Sequence, residues 1–165
     1  MATISTLNKD GTLDMSRGGE RAVHYVELIV DLADAVTAKG SALAQGDVIE
    51  TISVPAGTQV TFAGLQKISA MTGTSTDLTF DFGITGGDVD AFVDGWDFDA
   101  ASVDAYATVA SAAITPATFV TTADTLDILF ATQTGTVTGG KIRVFAWLAD
   151  CSNKQKKPGI VQLGS

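Results

Sequence analysis

Between Thr76 and Gly83 the side chains alternate without a break, with Leu78, Phe80 and Phe82 on one side and Asp77, Thr79 and Asp81 on the other. Only an extended strand sends successive side chains to opposite faces, so this run is predicted to be a strand with one buried face and one wet face. A one-faced strand is stable only when its sheet is covered by another layer, so the rest of the chain must supply that cover.

The same period returns elsewhere. His24, Val26, Leu28 and Val30 alternate with Tyr25, Glu27 and Asp31, and Leu126, Ile128 and Phe130 alternate within 125–134. Ile142, Val144, Ala146 and Leu148 do so within 141–149. Val48 to Val54 reads as a further strand with Ile52 and Val54 as its apolar face. Pro55-Ala56-Gly57 then suits a turn, with Pro presetting φ at the second position and Gly accepting φ > 0. Thr58 to Ala70 is predicted as the return strand, with Gly64 at a bulge. Weaker strand signals lie around 103–109 and 118–121, and 34–45 is Ala-rich and reads as a loose helix or loop. Gly86 to Asp99 is expected to be a long acidic loop holding a short helix, with Val89, Phe92, Val93 and Trp96 on its buried side. Gly135, Gly139 and Gly140 are expected to punctuate the last connection.

Seven or eight short strands with Gly-rich turns and almost no helix predict an all-β fold, a two-sheet β-sandwich with jelly-roll topology preferred. The expected organisation is an N-terminal arm over 1–21, a sandwich over 22–150 and a polar, basic C-terminal tail over 151–165. No 20–50-residue repeat argues for a solenoid or propeller.

Charge narrows the partners. Ten Lys and Arg stand against nineteen Asp and Glu, a net charge of −9, so phosphate is repelled and neither nucleic acid nor an anionic membrane is an expected partner. Met1-Ala2-Thr3-Ile4-Ser5-Thr6 lacks the basic and apolar regions of a signal peptide, and no apolar run approaches the roughly 20 residues of a membrane span. The chain is therefore expected to be made in a cytoplasm.

Catalytic chemistry has few carriers here. His24 is the single histidine and lies in phase with Val26, Leu28 and Val30, the place of a core or edge residue rather than a general base. Cys151 is the single cysteine, which leaves no intrachain disulfide and no zinc site built from Cys and His. There is no nucleophile elbow, phosphate loop or dinucleotide fingerprint. No enzyme activity is expected.

From Ile68 to Gly140 there is no Lys or Arg, while ten Asp occur. Asp88, Asp90, Asp94, Asp97 and Asp99 are candidate Ca²⁺ ligands by their hard oxygens, but the EF-hand pattern fails. Phe92 takes its fifth position and Asp99 stands where the bidentate Glu belongs. A solvated acidic surface is the simpler reading, with no metal and no cofactor. A carboxylate pair for glycoside hydrolysis has no residue marking it out.

The last strand gives the clearest contact signal. If Ile142, Val144, Ala146 and Leu148 face inward, Phe145 and Trp147 share the outer face with Lys141 and Arg143. Large aromatics beside Arg are typical interface anchors, so these four are the predicted partner contact, unless a loop or the arm of the same chain covers them.

Val54-Pro55-Ala56-Gly57-Thr58, together with Asp81-Phe82-Gly83-Ile84-Thr85-Gly86-Gly87-Asp88-Val89-Asp90-Ala91-Phe92-Val93-Asp94-Gly95, resembles small virion proteins of tailed bacteriophages, in particular capsid decoration or cement proteins. The resemblance covers the middle of the chain. It implies a β-sandwich bound in several copies, often as trimers, to the outside of the capsid shell. There it would bridge subunits of the major capsid protein, with no catalytic residues. The alternative on the same fold is a carbohydrate-binding sandwich of a head fibre or tail adhesin. That reading would use Trp96 or Trp147 as a stacking platform, with Asp88 and Asp90 on Ca²⁺ or sugar hydroxyls.

Overall fold

A computed structural model describes residues 23–84, 86–108 and 118–151. The arm predicted over 1–21 and all but the first residue of the predicted tail lie outside this set. Within it the elements run β1 (His24–Asp31), α1 (Leu32–Lys39), β2 (Val48–Val54), β3 (Thr58–Gly73), β4 (Asp77–Ile84), β5 (Val93–Asp97), β6 (Tyr106–Thr108), β7 (Thr118–Val120), β8 (Asp124–Thr134) and β9 (Val137–Asp150).

The strands form two antiparallel sheets. Sheet I has the order β1-β9-β3-β6, with β7 also on β3, and sheet II has the order β2-β8-β4-β5. Along the chain this is a folded ribbon: β1 pairs with β9, β2 with β8, β3 with β6 and β4 with β5. Wrapping that ribbon adds the pairs β3 with β9 and β4 with β8. This is a jelly roll, and the expected two-sheet all-β sandwich is the fold observed.

In β4, β8 and β9 the alternating residues meet where the pattern placed them, whereas in β1 Val30 is buried, Val26 is half-buried and His24 and Leu28 are exposed. Leu78, Phe80, Phe82, Leu126, Ile128, Phe130, Ile142, Val144 and Ala146 are wholly buried between the sheets. Phe80 stands at the centre of sheet II's contribution, 5.1 Å from the Phe98 ring and 4.9 Å edge-on from Phe130.

Several local expectations are corrected. The acidic 86–99 stretch holds no helix among its described residues; its end is β5, whose hydrogen bonds to β4 outweigh a helical turn too short to nucleate itself. Pro55 takes the first position of its turn, with Thr58 N–H bonded to Pro55 O at 3.2 Å, so the residue at φ +84° in third position is Gly57. That turn does not return the chain to a neighbouring strand but carries it from sheet II to sheet I. Gly64 is in regular register, and the β3 register instead skips Thr61 and Ile68. Gly139 and Gly140 lie inside β9 rather than before it.

The Ala-rich segment does form a helix. Asp31 caps its start by accepting from Ala33 N–H at 2.9 Å, and Leu32 anchors it in the core. An unforeseen feature is Lys67, in phase with Leu65 and therefore pointed inward. Its ammonium donates to the carbonyls of Phe98 at 2.6 Å and Ala101 at 2.8 Å and stands 4.6 Å from the centre of the Phe98 ring. Burial lowers its pKa, against the pull of Asp99 and Asp97. The pairing with carbonyls is what makes a buried cation tolerable, and it ties the connection after β5 to sheet I.

Candidate docking face

Cross-strand partners share a face, so the register of sheet I can be read outward from β9. Trp147 is flanked by Tyr25 on β1 and Phe62 on β3, and Phe145 by Glu27 and Gly64. Arg143 is flanked by Ile29 and Gln66, which is itself beside Tyr106 on β6, and Lys141 is opposite Asp31. The four predicted contact residues are therefore adjacent on one outer face.

Their exposure differs from the expectation. Phe145 is only 7% exposed, because its ring lies across Gly64, which has no side chain to hold it off. Tyr25, Phe62 and Tyr106 surround it at ring-centre distances of 6.5, 6.0 and 6.0 Å. Trp147 is half-buried beside Tyr25. Among the described residues, the cover over the predicted anchors is other aromatics of the same face. The rings that meet solvent are those sequence reasoning missed: Tyr25 at 43%, Phe62 at 39% and Tyr106 at 60%, with Ile29 at 50% farther along β1 and Phe119 at 51% on β7.

Phe62 was hidden by the skipped Thr61. Counting by twos from buried Val60 sends Phe62 inward, whereas the bulge pairs Val60 with Leu148 and Phe62 with Trp147, turning it outward. Tyr106 sits in a three-residue strand, too short for a period to show. Tyr25 and Ile29 are legible in the alternation of β1, on the face opposite His24, Val26, Leu28 and Val30.

Charges on this face neutralise one another. Tyr25 O–H donates to Glu27 Oε2 at 2.6 Å, Arg143 Nε is 3.6 Å from the same oxygen, and Lys141 Nζ is 3.2 Å from Asp31. Arg143 also donates to Gln66 Oε1 at 2.8 Å. Ala33 N–H and then Lys141 hold the Asp31 carboxyl below its usual range. Exposed pairs of this kind add little to stability, so their effect is to leave an aromatic surface with little net charge.

Burial, followed by the hydrogen bond to Glu27 and its charge, pushes the Tyr25 phenol up to about 12, with Arg143 pulling the other way. A phenol raised in the folded state gives stability that is present below its unfolded value of 10.0 and lost as pH rises through about 12. Ultraviolet titration should accordingly resolve one tyrosine ionising near pH 12, and Glu27→Gln should move that midpoint back toward 10. A titration unaffected by the Glu27 change would show that the pairing is absent in solution.

Sheet II presents the opposite character. Every charged side chain in β2, β4, β5 and β8 is Asp or Glu. Burial, then Asp94 and Asp90, raise the Asp81 carboxyl against a hydrogen bond from Gly95 N–H at 2.7 Å. Asp88 is raised first by its hydrogen bond to Asp90. The candidate Ca²⁺ ligands Asp88, Asp90 and Asp94 are thus crowded, but among the described residues no three Asp, Glu, His or Cys side chains form a group able to hold a metal. His24 is an exposed residue of β1, the edge of sheet I. Trp96 is half-buried, edge-on to Phe98 at 5.5 Å.

No protein-family model matches the chain, and no curated protein does. Solved structures do match. A chain of the capsid of Ralstonia phage GP4 superposes with a TM-score of 0.54 at 19% identity, over 78% of this chain and 84% of that one. A chain of the cyanophage Pam1 capsid asymmetric unit superposes with a TM-score of 0.54 at 17% identity, over 80% and 87%. At such identities the likeness is one of fold: this jelly roll is shared with chains of phage capsid structures.

Proposed function

We propose that this chain is a non-catalytic structural protein of a tailed-phage virion. It binds the outside of the capsid shell through the outer face of sheet I and stabilises the shell by bridging subunits of the major capsid protein. The carrying observation is the aromatic, nearly neutral face of Tyr25, Phe62, Tyr106, Phe145 and Trp147 on a fold shared with phage capsid chains. Apolar rings at the centre of a contact supply most of its energy, and charges paired within one partner do not oppose docking. The acidic face of sheet II, on the opposite side of the sandwich, supports an orientation with sheet I toward the shell. Binding at many sites on a shell lets modest single contacts hold.

Phe62→Asp combined with Tyr106→Asp tests this reading, because both side chains are exposed and the fold should survive. The protein should co-sediment with purified capsids and raise their resistance to heat. The double variant should lose at least about tenfold in affinity with its own melting temperature nearly unchanged. Equal binding by the variant would overturn the face, and no binding by the parent would overturn the function.

A further inference from the structure

Among the described residues β1 has one strand neighbour, β9, and β2 has one, β8, so two strand edges face each other along one side of the sandwich. Its lips are apolar. Leu28 is 42% and Val48 43% exposed, while Val26, Ile49 and Ile52 are half-buried. A cleft of about 420 Å³ enters between the lips, lined by His24, Val26, Ile52, Pro55, Thr58 and Leu148. β1 is the better template for an added strand, since its eight residues pair with β9 without a break and include no Pro, whereas β2 is interrupted at Thr51.

The chain carries a segment suited to this mouth. Beyond Cys151, residues 152–158 contain Lys154, Lys156 and Lys157 and no acid, and 160–163 read Ile-Val-Gln-Leu, a short β-prone apolar run. The segment starts at the cleft, for Cys151 N–H bonds to Gly57 O at 2.8 Å, in the turn that follows Pro55. The seven residues 152–158 span at most about 23–25 Å. That matches the length of β2, about 23 Å for its seven residues. A stretch of that length is long enough to run the mouth from end to end. Charge favours the path, because Glu50 is exposed on β2 and Asp34 is exposed on the adjoining helix.

We propose that residues 160–163 of one copy add as a strand to β1 of a second copy, with Val161 and Leu163 closing the cleft. Main-chain pairing to an exposed edge supplies affinity and alternate side chains supply selectivity. This linkage is separate from the shell contact and uses a different part of the surface.

The test is sedimentation of the full-length chain across a concentration series, with hydrogen exchange read at β1. Self-association is expected, with β1 amides protected as it proceeds. Val161→Asp with Leu163→Asp should weaken association about tenfold or more, as should Leu28→Asp on the receiving lip. Raising the salt should weaken it further. Phe62→Asp with Tyr106→Asp should leave it intact, which separates it from shell binding. A parent chain that stays monomeric overturns the proposal. So does β1 protection independent of concentration, which would put the segment in its own mouth, and so does association lost only with the aromatic-face variant.

Discussion

Phe80→Ala is expected to cost about 3–5 kcal/mol, most of the stability of an ordinary domain of this size. Phe80 is wholly buried in β4, an interior strand of sheet II, and its ring is held between Phe98 and Phe130. Truncation leaves a hole walled by the rigid aromatics that once filled it, and the flanking strands cannot close on it without breaking their pairing. Denaturant unfolding followed by far-ultraviolet circular dichroism should show the midpoint falling sharply, with Phe80→Leu losing much less. A loss under about 1 kcal/mol would mean that the interior is not packed as described.

Gly64→Val is the second large effect, and it acts through space rather than through lost contacts. A β-carbon at position 64 would stand 2.5 Å from Ala107 O and 2.8 Å from Phe145 Cζ. The carbonyl belongs to β6 and cannot turn aside alone, so β6 must detach or shift, and Phe145 must lift from the sheet. Overpacking of this kind costs about 1–3 kcal/mol. It should also change the near-ultraviolet dichroism of the aromatic face and reduce capsid binding. Adding Phe145→Ala should recover only part of the loss, since the clash with the backbone remains. Full recovery would show that the ring, not β6, sets the limit at Gly64.

How far the sequence could be read followed from where its period was clean. The alternations of 78–82, 126–130 and 142–148 each mark a strand of the core, because burial on one face leaves no freedom in register. Reading failed where one residue is skipped. Thr61 and Thr51 each shift the phase, which is why Phe62 turns outward and why Ile49 and Ile52 can both turn inward. It failed again where tertiary pairing overrides local preference, as in β5, and where an inward Lys67 finds its carbonyl partners 31 and 34 residues away. The predicted contact of Lys141, Arg143, Phe145 and Trp147 lies on the face identified, yet the solvent-facing rings come from β1, β3 and β6. Pairing between strands far apart in sequence brought them there, and no local pattern records it.

The pairing of β1 with β9 joins His24 to Leu148, nearly the whole length of the described chain. β9 is also an interior strand of sheet I, so neither β1 nor β3 has its central partner until that last strand is made. Contacts so distant in sequence close slowly. Sheet I can be completed only after synthesis of the domain is nearly finished, and until then β1 is unpaired and β3, paired only with β6 and β7, keeps an edge open to the wrong partner. A cell making many copies at once would therefore meet its greatest aggregation hazard in nascent chains that have β3 but not yet β9.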